Sequence, residues 1–456
     1  MTNHVDLGTE YLKDEPRVDW HNKAVFNFRK KRDIVAKSIP EWEELRDHAS
    51  AIKNHVLANL DEYLEMFESN AQANGVQVHW AADAKEHNEI VHSIIQKHHA
   101  VRVVKSKSML TEECGLNHFL EDKGIEIIDT DLGERIVQMR HEPPSHIVAP
   151  AIHLKKEEIS ELFHKELATE KGNNDPTYLT RAAREHLREK FLAAEIGITG
   201  VNFAVAENGA VVVVTNEGNA DLGCHIPPVQ IHCMGIEKLI PRWQDLGIFV
   251  RLLAPNGSGQ KISVYTSHFK RPKPGCEMHI VLVDNGRSQQ LKSKEYYRSL
   301  KCIRCSACLN TCPVYRRTGG FSYHTPVGGP IGSILMPNRD VKAYSDLPFA
   351  SSLCGSCSDV CPVKIDIHAQ LYKWRQNIIT QNGAPTIKTF AMDRAASVLT
   401  SPEQLNRWTK LMRWSMKKLP RWILYNRWNA WGKQRELPPI PQQTFMEWYQ
   451  HDQKKK

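Results

Sequence analysis

Seven of the chain's 11 cysteines fall between Cys302 and Cys361, and this clustering constrains the possible folds more than any other feature of the sequence. The remaining four are scattered upstream: Cys114, Cys224, Cys233 and Cys276. The sequence opens with MTNHVDLGTEYLKDEPR, which lacks the basic start and apolar stretch of a secretory signal. An odd, clustered set of cysteines in a chain without such a signal favours metal ligands over a disulfide framework.

The first group has the spacing Cys302-x2-Cys305-x2-Cys308-x3-Cys312 and is followed by Pro313. This spacing is typical of bacterial ferredoxins, in which three closely spaced thiolates bind one [4Fe-4S] cluster and the fourth cysteine, before a proline, binds the other. The iron atoms of one cluster lie close together, so the three thiolates must come from one tight turn.

The second group, Cys354-x2-Cys357-x3-Cys361 before Pro362, lacks one member, and Ser351 stands in its place. Crossed ligation assigns Cys302, Cys305, Cys308 and Cys361 to a first cluster, and Cys312, Cys354 and Cys357 to a second. The second cluster is then one thiolate short. Its open position could take Ser351, water, another side chain or a partner's ligand, or the cluster could be [3Fe-4S]. The simpler interpretation of Ser351 is a solvated or capping serine.

Paired C-x2-C groups also bind zinc, which gives an alternative from another functional class, a zinc-stabilised nucleic-acid-binding protein. Zinc would use four thiolates and leave three cysteines over. It would also give no reason for the two Cys-Pro endings. The sequence therefore favours iron-sulfur clusters.

The length of 456 residues predicts two or three domains, and the composition, 41% hydrophobic and 25% charged, is that of a folded chain. No apolar run approaches the roughly 20 residues of a membrane-spanning helix. We therefore expect a cytoplasmic protein, with peripheral contact at the inner face of the membrane as a further option.

The net charge of +8 resides in the C-terminal region, because residues 371–456 hold 16 Lys and Arg against five Asp and Glu. Seven of the 11 tryptophans lie there too: Trp374, Trp408, Trp414, Trp422, Trp428, Trp431 and Trp448. Interleaved Trp and basic residues suit nucleic acid, an anionic membrane surface or a partner protein. We expect a helical cap on the cluster domain that also docks a partner.

Hydrophobic periodicity predicts helices over residues 26–70, after an irregular arm at 1–25. Helix candidates then alternate with β-prone runs, which predicts an α/β layer with parallel pairing. The expected strands are 101–104, 125–129, 248–253, 262–266 and 278–283, with a hairpin at Glu207-Asn208-Gly209 and helices at 84–98, from Met109, and at 178–195. Past Gly286 we expect no strands, only short helices and a Gly/Pro-rich linker at 319–337.

Two segments, CIRCSACLNTCPVYRR and SSLCGSCSDVCPVKIDIH, resemble the α-helical two-cluster ferredoxin segment of lactate utilization iron-sulfur proteins. That segment is also similar to subunits of anaerobic glycerol-3-phosphate dehydrogenase and heterodisulfide reductase. Upstream, VVKSKSM, GITGVNFAVAENGAVVVVTNEGN and PPVQIHCMGIEKLIP resemble the LUD domain, an α/β fold related to sugar-phosphate isomerases and CoA transferases. The whole order is similar to the lactate utilization protein B family.

The resemblance implies an iron-sulfur subunit, with two [4Fe-4S] clusters, of a three-component system that oxidises L-lactate to pyruvate. Its implied partners are a cysteine-rich subunit, a smaller LUD subunit and a one-electron carrier. Another 2-hydroxy acid or glycerol phosphate is the alternative substrate. No dinucleotide fingerprint is visible, so a flavin or NAD would come from a partner, and what this chain itself catalyses does not follow.

We expect four regions: an N-terminal helical arm (1–70), the LUD α/β domain (71–289), a mostly α-helical ferredoxin-type domain (290–385) and a basic Trp-rich tail (386–456). In the LUD region, the turn Lys105-Ser106-Lys107-Ser108 lies between a strand and a helix, where it could bind substrate or another anion. A solvated helix cap is the alternative. Glu207 is better explained by the hairpin than by catalysis, and Cys224-His225 and His232-Cys233 by core packing.

Overall fold

The computed structural model describes residues 3–383, 386–418, 420–425 and 439–453. Residues 1–378 form one compact unit and residues 379–456 a second. Among the described residues, no helix has the length and apolar character needed to cross a bilayer.

The first unit begins with helices α1 (His4–Tyr11), α2 (Glu15–Lys37), α3 (Trp42–Ala58) and α4 (Leu60–Ala73). The expected helices over 26–70 are present, but the expected irregular arm at 1–25 is wrong. Asn3 and Asp14 accept hydrogen bonds from the backbone N–H groups of Asp6 and Arg17, and Pro16 lies in the first turn of α2. These caps start two helices that hydrophobic periodicity alone does not reveal.

The α/β part comprises β1 (Gln77–Ala81), α5 (Ala84–Lys97), β2 (Arg102–Lys105), α6 (Met109–Cys114), α7 (Leu116–Asp122), β3 (Glu126–Asp129), α8 (Leu132–Met139), α9 (Lys156–Leu167), α10 (Pro176–Leu192), β4 (Ile196–Gly200), β5 (Phe203–Val205), β6 (Ala210–Thr215), α11 (Asn219–His225), β7 (Val229–Gly235), β8 (Leu239–Ile240), α12 (Leu246–Ser258), β9 (Tyr265–Phe269) and β10 (Glu277–Val283).

Six strands form a parallel sheet in the order β1-β10-β7-β4-β2-β3. Its central strands β4 and β7 are buried along their whole length, as expected of a parallel sheet covered by helices on both faces. The other four strands pair in the order β8-β5-β6-β9. The predicted hairpin is confirmed there, because β5 and β6 are antiparallel around Asn208 and Gly209.

Two further predictions are wrong. Residues 248–253 lie in helix α12 and form no strand. The prediction failed because hydrophobic periodicity cannot distinguish a buried helix from a buried strand in a short run that is apolar throughout. Residues 319–337 are no linker, since they contain a buried helix that starts beside Pro330. The strand expected at 262–266 begins only at Tyr265.

After β10 come α13 (Arg287–Leu291), α14 (Ala307–Thr311), α15 (Pro313–Thr318), α16 (Gly329–Arg339), α17 (Val341–Tyr344), α18 (Ser356–Asp359) and α19 (Ile367–Asn382). The described residues past Gly286 contain no strand, as predicted. One hydrophobic core joins α2, α3, α12 and the cysteine segments, with Val25, Leu45, Phe249 and Tyr315 among its buried members. The N-terminal helices are therefore packed against the cysteine region.

The second unit contains α20 (Thr386–Leu399), α21 (Pro402–Lys418), α22 (Arg421–Leu424) and α23 (Phe445–Gln453). The indole side chains of Trp408, Trp414 and Trp422 are more than half exposed. Trp428 and Trp431 lie outside the described residues.

Candidate functional site

A tight turn brings the first three cysteines together. Arg304 and Ser306, the residues that flank Cys305, adopt positive φ angles of 59° and 63°, which fold the chain back on itself at each step. The Cys302 Sγ accepts a hydrogen bond of 3.4 Å from the Arg304 backbone N–H. In the second group, Leu353 and Gly355 on either side of Cys354 have positive φ angles as well.

The thiols fall into two sets in space. Cys361 interacts electrostatically with Cys305 and Cys308, and Cys302 with all three. Cys312 interacts with Cys354 and Cys357, and the two sets adjoin because Cys308 also interacts with Cys357. The structure thus brings together the seven cysteines that the spacing singled out, and it places Cys361 beside the first group of the sequence.

The chemistry of these sets suits a metal cluster. Burial raises the pKa of the Cys361 thiol to about 11 and that of Cys357 to about 12, so neither gives a stable thiolate without positive charge nearby. Iron bound to the sulfur atoms supplies such charge. Soft thiolate donors in sets of four and three therefore fit iron-sulfur clusters.

Ser351 makes contacts of its own. Its hydroxyl oxygen accepts a hydrogen bond of 3.1 Å from the Leu353 backbone N–H, and its carbonyl accepts one of 2.6 Å from Arg375. These contacts are those of a serine that stabilises its own turn, and they show neither a helix cap nor a cluster ligand. Nearby, Cys354 is the exposed member of the second set.

Guanidinium groups from the N-terminal helices surround the cysteine segments. Arg46 donates to the Cys361 carbonyl at 3.0 Å, and Arg32 to the Val360 carbonyl at 3.3 Å. Arg29 contacts the hydroxyls of Thr311 and Ser356. These arginines place positive charge close to the thiolates, and sequence patterns did not reveal them because they lie some 300 residues earlier.

A cavity of about 460 Å³ opens where four neighbouring parallel strands end. Its wall includes Lys107 and Ser108 after β2, Asp131 after β3, Asn202 after β4 and Lys238 after β7, all at the carboxyl edge where α/β sheets bind ligands. Arg304 and Cys305 of the first cysteine turn complete the wall. The cavity therefore adjoins the first set of thiols.

Known families match both parts of the chain. The LUD domain matches residues 64–290 and the 4Fe-4S dicluster domain residues 298–365. Lactate utilization protein B 1 of Bacillus mycoides is 40% identical over 453 residues, covering 97% of this chain and 94% of the relative. Lactate utilization protein B of Bacillus cytotoxicus is 42% identical, covering 92% and 91%. The chain belongs to the lactate utilization protein B family.

Another member of this family, from Macrococcus caseolyticus, is 39% identical over 460 residues and covers 96% of this chain and 95% of its own. A solved structure, a DUF162 family protein from Deinococcus radiodurans, is 10% identical with a TM-score of 0.28, and the match covers 49% of this chain and 98% of that one. The family assignment therefore rests on the sequence relatives.

In the turn Lys105–Ser108 of the LUD domain, two residues line the cavity and two lie behind its wall. Lys107 lines the cavity and donates to Asp131 at 2.8 Å and to the Val148 carbonyl at 3.0 Å. Ser108 also lines it and caps α6. Lys105 is fully buried behind the wall, with its Nζ 2.7 Å from Asp129 Oδ1 and 3.1 Å from Glu112 Oε1. Ser106 is buried as well.

Burial alone would lower the pKa of Lys105, but Asp129, Glu134 and Glu112 outweigh it and raise that pKa well above its ordinary value. The Lys105 ammonium therefore stays charged among these three carboxyl groups, and burial raises the pKa of Glu134 well above its ordinary value. Of the two lysines of the turn, Lys107 is the one placed to meet a ligand.

A buried ion network, which the sequence did not reveal, joins the LUD part to the cysteine turn. Arg287 Nε lies 2.6 Å from Glu237 Oε2, and Arg287 Nη2 lies 3.0 Å from Glu113 Oε2. Arg304 Nη2 lies 3.0 Å from the other oxygen of Glu113. Its members come from four segments, so no local pattern points to it.

The other candidate groups raised by the sequence are explained by packing and local hydrogen bonds. His232 is buried with its Nδ1 2.7 Å from Thr199 Oγ1, and Cys224 and Cys233 are buried in the core. The Glu207 carboxylate accepts a hydrogen bond of 2.8 Å from the Trp243 backbone N–H. None of these residues belongs to either set of clustered cysteines.

Proposed function

We propose that this chain is the iron-sulfur electron-transfer subunit of a system that oxidises L-lactate to pyruvate. Its family membership over nearly the full length and its dicluster domain support this function. The observation that carries the proposal is the cavity of the LUD domain, whose wall contains Cys305 of the first thiol set. We also infer that the LUD domain has the sugar-phosphate isomerase and CoA-transferase type of fold.

Two clusters would be held by crossed sets of ligands. Cys302, Cys305, Cys308 and Cys361 would hold the first, and Cys312, Cys354 and Cys357 the second, with a non-cysteine ligand or a [3Fe-4S] form as options for the second. When bound, the clusters supply one-electron redox chemistry.

The chain's own residues shield and orient these sites. Cys305, Cys308 and Cys361 are buried in the hydrophobic core, which excludes water from the first set. Arg46 and Arg32 fix the carbonyls beside Cys361 and stabilise negative charge there. Cys354 is exposed, so the second set lies nearest to a one-electron carrier docked on the surface.

The proposed partners are a cysteine-rich subunit and a smaller LUD subunit, with peripheral membrane contact as a further possibility for the tail. The proposed regions remain 1–70, 71–289, 290–385 and 386–456. The buried contacts of α2 and α3 with the cysteine segments support the proposal that the first region stabilises the cluster site.

The test is growth of a bacterium that lacks its own copy of this gene and carries a plasmid copy. Cys305→Ala should abolish growth on L-lactate and leave growth on glucose unchanged. Cys276→Ala, which alters a half-buried cysteine outside both groups, should behave as wild type. Normal growth of the Cys305 variant on lactate would overturn the proposal.

Substrate is tested on the anaerobic complex with its partner subunits. L-lactate should bleach the absorbance near ~400 nm that iron-sulfur clusters share. Reduction by glycerol 3-phosphate or another 2-hydroxy acid, with no reduction by L-lactate, would select the alternative substrate. A colourless protein that contains zinc would select the nucleic-acid-binding alternative.

A further inference from the structure

The side chain of Lys238 lies at the wall of the cavity. It ends the short 3-10 turn Ile236–Lys238 that follows β7, and it lines the cavity. In the described part of the chain its ammonium makes no hydrogen bond and no ion pair. The neighbouring charged groups have partners. Glu237 pairs with Arg287, and the Lys53 ammonium donates to the carbonyls of Glu237 and Leu239.

Arg304 offers a second unused donor at the same wall. Its Nη2 group is bound by Glu113, but its Nη1 group is buried with no hydrogen-bond partner among the described residues. Lys238 interacts electrostatically with both Arg304 and Cys302, so the two cations are neighbours beside the first thiol set. A buried guanidinium N–H without an acceptor is costly, and an anionic ligand would satisfy it.

The other charged groups of this wall have partners. Glu113 and Glu237 pair with Arg287 and Arg304, and Lys107 pairs with Asp131. The Glu217 carboxylate accepts a hydrogen bond from the Leu132 backbone N–H. Lys238 and the Arg304 Nη1 group are therefore cationic donors of this wall that have no acceptor among the described residues, and an anion in the cavity could supply one.

We infer that Lys238 and the free Nη1 group of Arg304 bind the carboxylate of a small 2-hydroxy or 2-oxo acid in this cavity. The choice of acid rests on the proposed function, whereas the anion site rests on the two unused donors. Ile147, Val148 and Leu253 supply an apolar wall against which the methyl group of such an acid can pack. The cavity is larger than a three-carbon acid, so the two cations must determine where the acid lies.

The site is tested by equilibrium binding to the anaerobically purified, cluster-loaded full chain. Calorimetry should detect binding of L-lactate or pyruvate. Lactamide, the neutral analogue of lactate, should bind about ten-fold more weakly or worse, because a charge-assisted hydrogen bond is lost. Lys238→Met should weaken acid binding by a similar factor, and Lys238→Arg, which keeps the charge, should lose less. Lys171→Met removes an exposed lysine that does not line the cavity and should bind as wild type.

Electron paramagnetic resonance adds a readout of position. Pyruvate should change the spectrum of the reduced wild-type protein, because the site adjoins Cys302 and Cys305, and it should leave the Lys238→Met spectrum unchanged. Iron content checks that each variant is intact, and Lys238→Gln replaces Lys238→Met if that variant fails to fold. Wild-type affinity in whichever of these neutral variants is folded and cluster-loaded would overturn the inference.

The binding result for the anion site can be distinguished from the growth result for the proposed function. If the wild-type chain binds neither acid, yet Cys305→Ala still abolishes growth on lactate, the anion site is overturned and the electron-transfer role stands. If both acids bind through Lys238 but Cys305→Ala grows normally on lactate, the site is supported and the proposed function fails.

Discussion

Cys361 belongs by sequence to the second cysteine group, but its thiol interacts with Cys302, Cys305 and Cys308. Cys361→Ala should therefore damage the first cluster, whereas Cys312→Ala should damage the second and leave it only two cysteines. The paramagnetic resonance signal lost in Cys302→Ala identifies the first cluster, and Cys276→Ala is the control. Retention of that signal in Cys361→Ala, with loss of the other, would show that ligation is not crossed.

His146 ties the LUD part to the cysteine region. Its Nδ1 accepts from the Val148 and Ala149 backbone N–H groups, and its Nε2 lies 2.9 Å from Asn310 Oδ1, between Cys308 and Cys312. Burial lowers the pKa of His146 to about 4. The unfolded chain takes up a proton below about pH 6.5 that the folded chain refuses until about pH 4, so stability is lost as the pH falls through this window.

We expect His146→Gln to reduce this acid sensitivity by up to about 1.4 kcal/mol per pH unit. Urea unfolding of the anaerobic protein at pH 7.5 and pH 5.5 measures the effect. His118→Gln, at an exposed position, should keep the wild-type dependence. An identical pH dependence in His146→Gln and wild type would mean that His146 does not contribute.

At the scale of elements, the Arg287–Glu237 and Arg304–Glu113–Arg287 contacts connect α6, α13, the turn after β7 and the cysteine turn. Glu113→Ala leaves two buried guanidinium groups without this carboxylate, which should destabilise the protein by about 3 to 5 kcal/mol. Thermal unfolding measures the loss. Glu121→Ala, at an exposed position of α7, should change stability little. A Glu113 variant as stable as that control would contradict the role of the network.

The same elements show what sequence reasoning can predict. The strands at 101–104, 125–129 and 278–283 were predicted correctly, because a buried parallel strand is a short, β-branched run bounded by turn residues. Residues 248–253 share that composition but form part of α12, since tertiary packing buries Phe249 and Leu252 against α2 and α3. A short apolar run does not contain that information.

At the scale of the whole chain, one part of the candidate site could be predicted from the sequence and another part could not. The seven clustered cysteines could be singled out from the sequence because a metal cluster requires thiols at short spacing within one or two turns. The cavity was not, because Lys107, Asn202, Lys238 and Arg304 meet only when four strand ends and the cysteine turn are assembled. Lys238 lies within the segment PPVQIHCMGIEKLIP, but nothing in the local sequence distinguishes it from a surface lysine.

The tail presents apolar side chains to solvent within its own unit. Trp408, Leu411 and Met412 of α21 are each at least half exposed. We expect Trp408→Ser with Leu411→Ser to weaken capture of the partner subunits, or binding to anionic vesicles, by about ten-fold. The control is Thr400→Ser, in the same unit. Tight, salt-sensitive binding of DNA or RNA by the wild-type chain would contradict a docking role.

The central claim is that this chain binds two iron-sulfur clusters through its seven clustered cysteines. Iron and acid-labile sulfide, measured together on anaerobically purified protein, test it most directly. We predict about eight iron atoms per chain for two [4Fe-4S] clusters, or about seven if the second is [3Fe-4S], with sulfide in proportion. About four iron atoms per chain, or zinc without sulfide, would contradict the claim.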